Sequence, residues 1–133
     1  MNSDHVSLIA QLYEAFARGD VPAVLSAFDP GIEWREAEGF EYANGNPYVG
    51  PDAVLHGVFG RLAGEWDHFA AAPRKLLATP DGVVALGRYT ATNKATGRPL
   101  DAQFAHVWQV EGGKIRAFEQ YTDTAQFAAA MTA

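Results

Sequence analysis

Residues 101–124 read DAQFAHVWQVEGGKIRAFEQYTDT, and this stretch decides the fold. Phe104, His106, Trp108 and Val110 recur at every second residue, so on a strand they share one face while Ala105, Val107 and Gln109 share the other. Glu111-Gly112-Gly113 supplies the positive φ that a tight reversal needs, and residues 114–121 return as an antiparallel partner. Both faces of this hairpin are largely apolar, and a sheet of that kind needs cover on both sides. Helices on one side and a second subunit on the other would supply it. His106 falls between Phe104 and Trp108 on the helix-covered side, and the functional reading starts from it.

The bulk properties narrow the classes. A chain of 133 residues fits one domain, residues 1–133, and 48% apolar residues suffice for a core. A formal charge of -6 argues against a general nucleic-acid or anionic-membrane surface. With no cysteine there is no disulfide, no thiolate nucleophile and no Cys-based zinc site. The chain shows no basic stretch followed by an apolar run and no apolar segment of bilayer length, so a cytoplasmic protein without a membrane partner is expected.

Outward from the hairpin, the rest of the chain sorts by period. Val6, Ile9, Tyr13 and Phe16 make a helical stripe over residues 3–18, with Ser3 or Asp4 as its cap. Gly19 ends that helix, and Asp20 caps a shorter one carrying Val24, Leu25 and Phe28, which stops at the turn Asp29-Pro30-Gly31. Ile32, Trp34 and Glu36 begin a short strand. A loop over residues 37–50 follows, long enough to be expected as a mobile lid, with Tyr42 and Tyr48 as lid residues. Pro51 opens a third helix whose apolar stripe runs Leu55, Val58, Phe59, Leu62, Trp66 and Phe69. Residues 74–79 and 83–93 read as strands, and Asp123 caps a short closing helix. Helices first and strands grouped afterwards indicate α+β, with a bent, mainly antiparallel sheet holding helices on its concave side.

Gly19-Asp20 between two helices, Phe28-Asp29-Pro30 before Glu33-Trp34, Gly50-Pro51-Asp52-Ala53 opening a helix, and Gly113-Lys114-Ile115 before the last strand resemble one superfamily in their order and spacing. It is the nuclear transport factor 2-like superfamily of cone-shaped α+β barrels, and within it the SnoaL-like, ketosteroid isomerase-related group. The resemblance implies a deep pocket at the open end of the cone and a homodimer. The same cone hosts isomerases, polyketide cyclases, epoxide hydrolases, dehydratases and non-catalytic binders, so the fold does not choose among them. The helix tyrosine of steroid isomerases falls at Leu12, one residue from Tyr13, and their strand aspartate at Arg35, next to Glu36. The histidine of SnoaL-type cyclases matches His106, and their aspartate falls at Gln120.

These positions give the candidate site. His106, Glu36 and Gln120 are the catalytic candidates: a neutral imidazole lowered by its aromatic neighbours unless Glu36 touches it, a carboxylate raised by Trp34, and an amide that orients a ligand. Trp34, Tyr13, Phe59, Arg88, Phe104, Trp108 and Phe118 are the ligand-binding candidates, with Arg88 as a clamp or a partner of Glu36. Each has a plainer alternative. His106 is then a core histidine, Gln120 its partner across the hairpin, Arg88 a surface cation and the aromatics ordinary core. His5, His56 and His68 lack ligand spacing and read as surface residues, so neither metal nor cofactor is expected. The functional expectation is cofactor-free proton transfer on a small apolar carbonyl compound. The alternative is a carrier of an apolar metabolite.

Overall fold

Two helices open the chain in the computed structural model, which describes residues 2–133, with side chains from Asp4 onward. Helix α1 (Asn2–Ala17) ends just before Gly19, whose φ of 73° leaves the helical region. Helix α2 (Val21–Ser26) starts on Asp20, whose carboxylate accepts the Ala23 amide at 3.2 Å. The Ser3 capping reading lies outside the described side chains, and Asp4 sits within the first turn of α1.

Strand β1 (Phe28–Arg35) begins four residues earlier than the turn signal implies. Asp29-Pro30-Gly31 bulges inside the strand instead of ending a helix: the Asp29 carboxylate accepts the Gly31 amide at 2.8 Å, and the register slips between Phe28 and Glu33. Phe28 aligns with Ile115, and that pairing holds the strand across the interruption.

Residues 37–50 are not the irregular segment expected of a lid. A 3₁₀ turn (Glu41–Gly45) and the two-residue strand β2 (Tyr48–Val49) lie within them. Tyr42 is fully buried, its hydroxyl donating to Glu65 at 2.7 Å, so it is core and not lid. Tyr48 packs between Gly45 and Gly57 and donates to the Tyr42 carbonyl at 2.7 Å.

Helix α3 (Pro51–Val54), a π-helical turn (Leu55–Phe59) and helix α4 (Gly60–Glu65) run on without a break. Trp66 and Phe69 then leave the helix for β3 (Trp66–Thr79). Their spacing continues the helical stripe, but pairing of Trp66 with Asn93 and Asp67 with Thr92 extends the sheet there. Strands β4 (Gly82–Asn93), β5 (Pro99–Glu111) and β6 (Lys114–Thr122) and helix α5 (Thr124–Met131), capped by Asp123, follow the sequence reading closely.

The six strands are ordered β2-β1-β6-β5-β4-β3. All neighbours are antiparallel except β1 and β6, which run parallel. The sheet curls without closing, so β2 and β3 are edges. The concave face carries the aromatic core, in which the Trp34 and Phe118 rings stack at 3.7 Å. Helices α1 and α5 and the α3–α4 segment cover that face, which fixes where a site can form.

Candidate functional site

Alternation along three neighbouring strands builds the site. The inward residues are His106 and Trp108 on β5, Tyr89 on β4, and Phe118 and Gln120 on β6. Tyr13 descends onto them from α1, and Glu36 follows the last residue of β1. With Trp34 and Phe59 they line a cavity of about 60 Å³. Every polar group among them is buried: Glu36 5% exposed, His106 4%, Gln120 5%, Tyr13 6% and Tyr89 4%. The lining residues that retain more exposure are Phe16, Leu62, Phe69 and Ala71, so the accessible side lies between α1, α4 and β3. Residues 37–50 contribute to the lining only the buried Phe40, so the mouth is not at the expected loop.

Inside the cavity the polar groups form one chain. The Trp108 indole donates to the Tyr13 hydroxyl at 3.0 Å, and that hydroxyl meets His106 Nδ1 at 2.5 Å. On the far side of the ring, His106 Nε2 bonds the Tyr89 hydroxyl. Gln120 Nε2 donates to the same hydroxyl at 2.8 Å, and its Oε1 accepts the Ala37 amide at 3.0 Å. His106 and Gln120 are register partners, but they meet through Tyr89 and not directly.

Glu36 is held separately. Its Oε2 accepts the Trp34 indole at 3.0 Å, and its backbone is locked by Asn46, which accepts the Glu36 amide at 2.9 Å and donates to its carbonyl at 2.8 Å. Burial raises this carboxyl from 4.5 to about 7, with the Trp34 bond and the charge of Arg61 pulling the other way. Burial lowers His106 from 6.5 to about 3, so its imidazole is neutral. Burial, and then the Glu36 charge, raises Tyr89 well above an ordinary phenol. Burial raises Tyr13 likewise, against the Trp108 bond.

The structure brings His106, Glu36, Gln120, Tyr13, Trp34, Phe59, Trp108 and Phe118 to one cavity. It does not bring Arg88 there. Arg88 points outward on β4 and pairs with Asp101 at 2.7 Å, because parity that turns Tyr89 inward must turn Arg88 out. Phe104 is also off the lining, stacked behind His106 at 3.9 Å. Glu38 and Glu41 are exposed. His56 and His68 lie at the surface, whereas His5 is partly buried, and its Nδ1 has no hydrogen-bond partner among the described residues. Tyr89 is the residue that sequence reasoning missed. Its signal was the alternation Val83, Ala85, Gly87, Tyr89, which puts it on the face that the strand pairing shares with His106. Among the described residues, no three His, Cys, Asp or Glu side chains converge as metal ligands would, and no helix is long and apolar enough to cross a membrane.

A buried carboxylate and a tyrosine–histidine–tyrosine chain in the cone of a curled α+β sheet can be set beside known proteins. Residues 9–118 match the SnoaL-like domain. The chain belongs to the SnoaL-like family. Among solved structures, this SnoaL-like chain is 38% identical to an NTF2-like protein from Burkholderia thailandensis E264, with a TM-score of 0.91 over 96% of this chain and 97% of that one. An NTF2-like protein of unknown function from Burkholderia pseudomallei K96243 is 30% identical, with a TM-score of 0.89 over 98% of each chain. TerC, co-crystallised with polyporic acid, shares the fold at 24% identity and a TM-score of 0.85 over 96% of this chain and 98% of that one. No curated protein matches the SnoaL-like chain.

Proposed function

We propose that this SnoaL-like protein is an enzyme that moves a proton on a small carbonyl compound, with Glu36 as the acceptor. The observation that carries the reading is a buried carboxyl held at about 7, lining the same aromatic cavity as two phenols and bonded to neither. A group poised near neutrality is half in its basic form there and gives the proton back as readily. In the step, the C–H bond beside the carbonyl breaks, its proton goes to Glu36, and its electron pair moves to the oxygen as an enolate. A phenol hydrogen bond stabilises that oxygen. Return of the proton to another carbon gives an isomer.

His106 takes a different part from the acid/base role that the sequence suggests. Both of its ring nitrogens are engaged by tyrosines, and burial holds it neutral, so it acts through them. A cavity of about 60 Å³ also limits the substrate. Benzene occupies engineered cavities of roughly 150 Å³, so only a few non-hydrogen atoms fit unless the aromatic wall moves. The crystallisation of TerC with a small molecule supports a ligand-taking cone.

Deuterium incorporation into acetone or 2-butanone in heavy water, followed by NMR, tests the reading. Exchange above the buffer rate that Glu36→Gln abolishes is expected. Exchange at the buffer rate, or unchanged by that substitution, sinks it. One observation favours a carrier instead: Gln120 stands where cyclases have an aspartate, and its amide is tied on both sides, to Ala37 and Tyr89. A ligand retained unchanged through native mass spectrometry would support that alternative.

We also propose a homodimer through the convex face of the sheet. Ala105, Val107 and Ala117 are only partly covered there, and Tyr121 is 54% exposed beside them.

A further inference from the structure

The polar chain in the cavity fixes its own hydrogen count. The Trp108 indole can only donate, so the Tyr13 oxygen is an acceptor. The Ala37 amide can only donate, so Gln120 Oε1 faces it and Nε2 must donate to Tyr89, whose oxygen is an acceptor as well. A neutral imidazole has one N–H and one bare nitrogen. Its two bonds, to Tyr13 and to Tyr89, therefore use one hydrogen from the ring and one from a phenol. Two phenol hydrogens minus one leaves a single hydroxyl hydrogen over.

Two arrangements satisfy this count. Either Tyr13 donates to Nδ1 and Nε2–H donates to Tyr89, or the reverse. In the reverse arrangement the spare hydrogen is on Tyr13, whose hydroxyl meets Trp108 and His106. In the first it is on Tyr89, which Gln120 ties to the amide of Ala37, the residue after Glu36, on the wall of the cavity that Glu36 also lines. Tyr89 and Glu36 line the same cavity, and no hydrogen bond joins them.

We propose that Tyr89 is the hydroxyl donor to the ligand and that His106, as its Nε2–H tautomer, is the positioning residue that keeps that hydrogen free. The ligand class follows: a small molecule whose oxygen accepts one hydrogen bond from Tyr89 and whose adjacent acidic hydrogen faces Glu36. A ketone meets both conditions and an amine does not. The donor assignment stands on the hydrogen count, which leaves one spare hydroxyl hydrogen, and on the Gln120 link that ties Tyr89 to the residue after Glu36. The acidic-hydrogen requirement rests on the proton-transfer reading above.

Side-chain nitrogen NMR of His106 in the full-length protein tests the tautomer without any ligand. A pyrrole-type Nε2 and a pyridine-type Nδ1 are expected, and the opposite pattern overturns the proposal. The second arm titrates carbonyl-labelled acetone and reads the shift of its carbonyl carbon. Wild type and Tyr13→Phe should show the hydrogen-bonded downfield shift, and Tyr89→Phe should lose it. Loss in Tyr13→Phe with retention in Tyr89→Phe overturns the assignment, as does an acetone shift unchanged in Tyr89→Phe. If Glu36→Gln keeps the carbonyl shift while wild type shows no deuterium exchange, the proton-transfer reading fails and the donor assignment survives.

Discussion

Tyr89 stands between His106 and Gln120, two residues that the strand register places side by side but that do not bond each other. Strand β4 thus supplies the link between β5 and β6. Every member of the chain is buried, and a buried polar network is stable only while each member keeps its partners.

Gln120→Glu makes that dependence visible. The new side chain keeps an oxygen for the Ala37 amide but loses the N–H that Tyr89 accepts. Protonated, it can donate to Tyr89 again. Ionised, it adds a second buried negative charge to a cavity that already holds Glu36. The variant should fold at pH 5 and be weaker than wild type at pH 8 by about 2 kcal/mol or more, the cost of an unpaired buried charge. Denaturant midpoints at the two pH values check this, and equal midpoints for variant and wild type at pH 8 would contradict it.

Gly57→Ala should destabilise the helical wall of the cavity. A methyl group at Gly57 would lie 2.2 Å from Tyr48 Cε1, and one at Gly45 on the other side would lie 2.4 Å from the same atom. The ring cannot swing clear without breaking its hydroxyl bond to the Tyr42 carbonyl. Overpacking of this kind costs about 1–3 kcal/mol. Thermal melting of Gly57→Ala reads the loss, and a melting temperature equal to wild type would show that Tyr48 moves freely.

Much of this was legible in the sequence, and the failures have physical causes. The β5–β6 hairpin was legible because alternation and Gly112-Gly113, at φ 61° and 77°, agree. His106, Glu36 and Gln120 were legible as pocket residues for the same reason of parity. Arg88 was misplaced because its charge drew the reading while the parity of its neighbour Tyr89 went unused. Trp66 and Phe69 were read as helical because one period cannot reveal where a strand pairing takes over. The partners of His106 were not legible, since Tyr13 and Tyr89 come from elements 93 and 17 residues away.

Val107→Glu should give a monomer. Val107 lies on the convex face, opposite Val84 on one side and Glu119 on the other, and is only partly covered. A carboxylate there would be buried in a two-fold contact against its own symmetry copy and Glu119. Sedimentation equilibrium at micromolar concentration should show a dimer for wild type and half that mass for the variant. A monomeric wild type would remove the dimer.

Glu36 and His106 should oppose each other in the pH dependence of stability. Glu36 titrates at 4.5 ordinarily and at about 7 in the fold. Between those values the folded state holds a proton that the unfolded state has lost, so stability falls as pH rises. His106 titrates at 6.5 ordinarily and at about 3 in the fold. Between those values the unfolded state holds the extra proton, so stability rises with pH. Each slope is about 1.4 kcal/mol per pH unit, and over the shared window from 4.5 to 6.5 they cancel. Glu36→Gln removes only the falling term. It should match wild type near pH 4, gain on it steadily through the window, and exceed it at pH 8 by about 3 kcal/mol at most. Denaturant unfolding of the two proteins across this range gives the difference curve. A flat difference from pH 4 to 8 would mean that Glu36 is not held near 7, and the proton-transfer reading would lose its acceptor.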